Sequence, residues 1–142
     1  MTDEQIALAR RAVACRGWRW MPGILTGDGF RCVWSDEVSR EWASPTWCEN
    51  GMSWKNTRTG SKDLPDLTDP ATLGCLLALV REAFEDKGVG AICQDVGIMN
   101  GSKMWSLIGE AGEFGGYWTK QAYYSTEAEA LVAALEAAPC GQ

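Results

Sequence analysis

The chain has 142 residues, 46% of them apolar and 23% charged, with eight Trp, six Cys, no His and a formal net charge of −6. This length fits one domain that buries roughly 70% of the surface its unfolded form exposes, enough for a core without obligatory staples. The missing imidazole excludes a Ser-His-Asp triad, a Cys-His dyad, a His-ligated zinc and a His proton shuttle, and the acidic balance argues against generic nucleic-acid or anionic-membrane binding.

The first element is a helix over about Thr2 to Arg16. Thr2 and Gln5 have capping-box spacing, Asp3 and Glu4 suit the positive end of the helix, and Ile6, Ala9, Ala12 and Val13 form a narrow apolar face. Gly17 ends it. Alternation at Trp18/Trp20 and at Cys32/Trp34, around Pro22-Gly23 and Gly27-Asp28-Gly29, predicts a hairpin. Ser35 to Ser61 lacks clear periodicity and reads as irregular structure or as short strands joined by tight turns. A segment this long without regular structure is uncommon unless it serves binding.

Asp69 as N-cap and Pro70 at the first helical position open the clearest helix, with Leu73, Leu76, Leu77, Val80 and Phe84 on one face, Leu79 and Ala83 widening it, and Lys87-Gly88 closing it. Ala91–Met99 and Lys103–Ile108 flank Asn100-Gly101, the preferred type I′ turn, and predict a hairpin. Gly109–Gly116 reads as a hairpin loop and Tyr117–Tyr124 as a further strand. Thr126 to Glu129 makes a second capping box, and Ala128, Leu131, Val132 and Leu135 face one way until Pro139. The order predicts a single α+β domain over 1–142, an antiparallel sheet with helices packed on one face, carrying a Trp/Arg-rich insert-like segment at about 18–62.

Leu64-Pro65-Asp66-Leu67 onward through Ala83, Thr126-Glu127-Ala128-Glu129 through Ala138, and the opening run to Gly17-Trp18 resemble a loose family of small phage- and prophage-encoded proteins of GC-rich bacteria. The resemblance covers about a third of the chain, mostly helices. It implies a setting in which accessory proteins act by binding: blocking a host enzyme, inhibiting a nuclease, or sequestering a nucleotide signal of a defence system.

Charge and aromatic content are unevenly placed. Residues 1–62 hold nine Lys/Arg, seven Asp/Glu and six Trp, whereas residues 63–142 hold four, twelve and two. The candidate binding set is therefore Trp18, Arg19, Trp20, Arg31, Trp34, Arg40, Trp42, Trp47, Trp54 and Arg58, with Lys55 among them. Indole stacks on bases and guanidinium forks onto phosphate, so the first expectation is a non-enzymatic accessory protein that counters host defence by sequestering a nucleotide-like small-molecule signal; the alternative is an inhibitor of a host bacterial protein, since the same residue types dominate protein–protein hot spots. The same indoles also serve as core bulk. Exposed Trp and the Ala/Leu-rich helices allow a homo-oligomer.

Other constellations carry less. The Gly109–Gly116 run has two Glu and no Lys, so it makes a poor phosphate cradle. Asp63, Asp66 and Asp69 precede or cap a helix, and Asp36, Glu37 and Glu41 have no partner of defined geometry for acid–base work. The acidic C-terminal half reads as a solvated surface rather than a nucleic-acid mimic. The cysteines contain no C-x2-C or C-x4-C pair, which speaks against zinc, and Cys75 falls on a helical apolar stripe as buried free thiols do. No cofactor, no catalytic residue and no membrane span are expected, and with no leader pattern the expected compartment is the host cytoplasm.

Overall fold

The computed structural model describes residues 1–35, 39–48, 51–58, 64–95, 103–109, 112–113 and 123–139. The protein is α+β: α1 (Asp3–Ala14), β1 (Arg31–Ser35), β2 (Ser39–Cys48), β3 (Gly51–Arg58), α2 (Pro70–Phe84), β4 (Gly90–Asp95), β5 (Lys103–Gly109), β6 (Gly112–Glu113) and α3 (Glu127–Ala137). The strands form two antiparallel three-stranded sheets, β1-β2-β3 and β4-β5-β6, where the sequence predicted one. The chain divides into two compact units, Met1–Val13 with Arg19–Cys75, and Ala14–Trp18 with Leu76–Gln142.

In the first unit α1 opens with the predicted capping box in both directions: the Gln5 N–H donates to Thr2 Oγ1 at 3.2 Å and the Thr2 N–H donates to Gln5 Oε1 at 2.8 Å. Its buried residues, Ala9 and Ala12, are small. The first hairpin begins later than Trp18/Trp20. Leu25 bridges Arg31, the Thr26 N–H donates to the Phe30 carbonyl at 2.8 Å, and the Cys32 N–H donates to the Ile24 carbonyl at 2.7 Å. The reason is local. Gly29 adopts φ +92° in the turn, and the Thr26 hydroxyl accepts the Phe30 N–H at 3.0 Å while also bonding Asp28, so Thr26–Phe30 closes on itself and fixes the arms at residues 23–26 and 30–32.

The segment without periodicity is a meander. β1, β2 and β3 pair in sequence order, with register shifts between Cys32 and Trp34 and between Ala43 and Trp47. These shifts hide the period of two from the sequence. The second contains Pro45, which cannot donate to a ladder and is tolerated in a central strand only at such an irregularity.

α2 begins at Pro70, with the Thr72 N–H donating to Asp69 Oδ2 at 2.9 Å as the predicted N-cap requires. Its buried stripe is Thr72, Cys75, Leu76, Leu79 and Val80, while Leu73, Leu77 and Phe84 are only half-buried. A hydropathy count skips Thr72, so it misplaces the centre of this face. The helix ends before Lys87-Gly88. Glu85 takes φ +53°, its N–H donates to the Glu82 carbonyl at 3.1 Å, and the Asp86 N–H reaches the Arg81 carbonyl at 3.0 Å, the paired bonds of a Schellman motif with glutamate in the glycine position.

In the second unit β4 and β5 pair from Gly90↔Ile108 to Asp95↔Lys103, and α3 packs on both strands. Ala128, Leu131, Val132 and Leu135 are buried as predicted, joined by Ala130 and Ala134. Thr126 caps α3 by accepting the Glu129 N–H at 3.1 Å, but the return bond is replaced: the Glu129 carboxylate accepts from the Ser125 hydroxyl at 2.7 Å. Tyr124 exchanges backbone bonds of 2.7 and 2.8 Å with Trp105. The Asn100-Gly101 turn, and the Tyr117–Tyr124 strand up to Ala122, lie outside the described residues. Of the Gly109–Gly116 run, Gly109 and Gly112 pair across the β5–β6 hairpin. Among the described residues no helix is long and apolar enough to cross a membrane.

Candidate functional site

Arg31, nominated as a phosphate fork, is committed to the scaffold. Its Nη1 and Nη2 donate to Asp69 Oδ2 and Oδ1 at 3.0 and 3.1 Å, and Nη1 also donates to the Gly23 carbonyl at 2.6 Å. Asp69 further accepts from the Thr72 N–H and hydroxyl, both at 2.9 Å, and the same hydroxyl accepts the Leu25 N–H at 2.9 Å. One carboxylate thus caps α2, holds β1 and, through Thr72, anchors Leu25. The Arg31 bond, followed by the Thr72 bonds, lowers the Asp69 pKa to about 2 against opposing desolvation. Nearby, burial raises the Cys75 thiol pKa, and that thiol donates to the Pro22 carbonyl at 3.5 Å. Cys75 is a buried free cysteine, as read from its place on α2.

Trp42 also belongs to the interior. It is 1% exposed and meets Trp20 edge-to-face, with ring centroids 5.3 Å apart and an interplanar angle of 76°. Trp20 is half-buried and Arg19 exposed; Trp18, half-buried, falls in the segment assigned to the second unit.

The register sorts the rest. Residues paired across strands share a face of a sheet, and neighbours along a strand alternate. Trp42 pairs with Cys32 and with Lys55, and Cys32 is buried like Trp42, so these positions define the core face. Glu41 and Ala43 take the opposite face with their partners Trp34, Asn56, Arg31 and Trp54. Trp47 pairs with Met52, two residues before Trp54, and Arg58 pairs with Ser39, so both join that face. The irregularity after Cys32 is decisive for Trp34. It sets Val33 and Trp34 against the single residue Glu41; unbroken alternation would have put Trp34 with Cys32. Trp34, Trp47, Trp54 and Arg58 therefore fall together, whereas Arg40, paired with Ser35 and Thr57, falls with Trp42.

Sequence reasoning missed Met52, though Met52-x-Trp54 is a readable alternation, and read Asp69 as a cap without seeing its link to Arg31. A separate cleft of about 240 Å³ in the second unit is lined by Arg16, Leu79, Glu82, Ala83 and Glu85 among others and contains no nominated residue. Among the described residues, no group of three or more Cys, Asp or Glu is placed to hold a metal ion. Compared with family models, curated proteins and solved structures, the chain matches none.

Proposed function

We propose that the chain is a non-enzymatic binding protein that engages a host bacterial protein through the sheet face holding Trp34, Trp47 and Trp54. The observation that supports this reading is the register of the meander, which puts positions 34, 47, 52 and 54, three Trp and one Met, on the face opposite that of the buried Trp42. Clustered large aromatics are the usual anchors of protein interfaces. Two of the arginines that favoured a nucleotide-like ligand are withdrawn from such a site, Arg31 by its pairing with Asp69 and Arg40 by its position on the Trp42 face. The resemblance of the helices supplies the setting: a phage accessory protein acting in the cytoplasm of the infected cell, with a defence nuclease or another defence enzyme as the target to be blocked.

A nucleotide-like signal molecule is the second reading, favoured by Arg58 sharing the face with Trp54. The two are separated by one set of variants. Trp34→Ala, Trp47→Ala and Trp54→Ala, made singly, are compared with the wild type by affinity capture from bacterial lysate and by fluorescence titration with linear and cyclic nucleotides. Loss of one identified host protein in all three, with titrations flat throughout, supports the protein-binding reading. Capture that ignores all three substitutions defeats it, and a fluorescence response abolished by Arg58→Ala replaces it with the nucleotide. Light scattering on the same samples reveals whether the face instead joins two copies.

A further inference from the structure

We propose that the cleft of the second unit binds a free α-amino acid with an apolar side chain. The cleft, of about 240 Å³, is lined from three places in the chain: Arg16 after α1, Leu79, Glu82, Ala83 and Glu85 along and just past α2, and Pro139 after α3. All of these residues belong to one compact unit, which does not include the Trp face. Leu79, Glu82 and Ala83 stand three and four residues apart and so share one face of the helix. Leu79 is 1% exposed and Ala83 half-buried, whereas Arg16, Glu82 and Glu85 are exposed. The cleft therefore offers apolar surface together with one guanidinium and two carboxylates. Small-molecule sites are built in this way, from apolar walls and a few polar groups that fix orientation. Its volume is below the range for drug-sized ligands and suits a molecule the size of an amino acid.

Two observations select the ligand. Arg16 and Glu85 carry opposite charges and line the same cleft, yet among the described residues neither side chain forms a hydrogen bond or an ion pair. Each can therefore take the complementary charge from a guest: a carboxylate on the planar guanidinium fork of Arg16, and an ammonium on Glu85 with Glu82 beside it. An α-amino acid carries both groups on one carbon, and Leu79 and Ala83 supply apolar surface for its side chain. The second observation is the backbone of Glu85, which lies at φ +53° in the left-handed region that favours glycine. A glutamate there lowers the stability of the fold and gains no ion pair among the described residues in return. Residues held against their own backbone cluster at ligand sites, where function offsets the loss of stability. Contact with an ammonium gives the Glu85 carboxylate such a function.

Isothermal titration calorimetry of the full-length chain with L-leucine, L-methionine and L-phenylalanine tests this. Two leucine analogues that each lack one charge, isopentylamine and isocaproate, are titrated beside them, and the variants are Arg16→Gln, Glu85→Gln and Glu85→Gly. At least one amino acid should bind saturably. Each single-charge analogue, and each variant, should weaken that binding at least tenfold, because a charged group in the cleft or on the ligand then loses its partner. Glu85→Gly separates binding from folding: it should lose the ligand while its unfolding midpoint rises. Absence of saturable binding at about 10 mM for all three amino acids overturns the proposal. So does binding that any of the three variants leaves undiminished. Isopentylamine bound as tightly as leucine would make the cleft a cation site, and isocaproate bound as tightly would make it an anion site; either result overturns the amino acid. All of these outcomes are independent of the Trp face, whose own variants are read by partner capture.

Discussion

Arg31 and Asp69, 38 residues apart in the chain, join the start of β1 to the start of α2 by two parallel hydrogen bonds of 3.0 and 3.1 Å. Bidentate pairs of this kind fix orientation as well as contributing energy, and here the carboxylate is also the helix cap. The pair is only partly shielded, since the Arg31 side chain is 39% exposed and that of Asp69 14%. Its electrostatic share is accordingly set at about 1 kcal/mol, below what the pKa displacement alone would suggest.

The pH dependence has a defined sign. Asp69 is held at about 2, below its ordinary value of 3.8, so the folded state favours the ionised form. That stabilisation is fully present above pH 4 and is lost as pH falls from about 4 to 2. Urea unfolding of the wild type and of Asp69→Asn should differ most at neutral pH, by about 1–2 kcal/mol including the weakened cap, and the curves should converge near pH 2. A gap that stays constant from pH 7 to pH 2 would mean that the charge of Asp69 contributes nothing.

Thr72 is fully buried and its hydroxyl both donates to Asp69 and accepts from Leu25. Thr72→Val keeps the shape and removes both bonds, leaving the Leu25 N–H without this acceptor. It should cost about 1–3 kcal/mol. Thr72→Ser keeps the bonds and loses a methyl group, for about 1 kcal/mol. Chemical denaturation should rank the valine variant as the less stable; the reverse order would mean that packing outweighs the hydrogen bonds at this site.

One position inside α2 and one just past its end carry a residue at odds with the local backbone. Glu85 occupies the left-handed region at φ +53°, where glycine is favoured, and a Cβ built on Gly74 in the helix interior meets no atom within 4 Å. Glu85→Gly should raise stability by about 0.5 kcal/mol, and Gly74→Ala by about 0.5–1 kcal/mol, giving a higher unfolding midpoint in each. A lower midpoint for Gly74→Ala would mean that the open space beside it is needed for something the folded chain does.

The tryptophans should separate into two classes. Trp42→Ala removes a buried ring and its contact with Trp20, and should cost about 3–5 kcal/mol with loss of near-ultraviolet dichroism. Trp54→Ala, on the proposed binding face, should cost under about 1 kcal/mol and act on partner capture instead. Equal destabilisation by both would place Trp54 in the core and remove the basis of the proposed surface.

The parts of this fold legible in the sequence are those whose signals are local. Asp69-Pro70 marks the start of α2, Thr2 and Gln5 that of α1, and the Ala128/Leu131/Val132/Leu135 face of α3 is buried as its spacing predicts. What escaped depends on pairs distant in sequence or on broken periods. The Arg31–Asp69 link has no signature in either segment alone, and the register shifts of β1 and β2 disguise strands as irregular chain. Of the nominated binding residues, Trp34, Trp47, Trp54 and Arg58 share a face, while Arg31 and Trp42 belong to the scaffold. Indole and guanidinium serve both roles: the register separates Trp42 from Trp34, Trp47 and Trp54, whereas Arg31, at a position on the same face as Trp34 and Trp54, is set apart by its bonds to Asp69 and Gly23.

The extra residue at Val33 bears on how such a surface can change over generations. With Val33 present, Trp34 stands across from Glu41; with one residue fewer, unbroken alternation carries it to the side of Cys32 and Trp42. A three-nucleotide deletion there would leave every aromatic codon intact and yet move position 34 from the face of Trp54 to the face of Trp42. The make-up of each face of the sheet is therefore open to revision by changes in spacing as well as by substitution, and two chains with identical aromatic content could sort their aromatics differently.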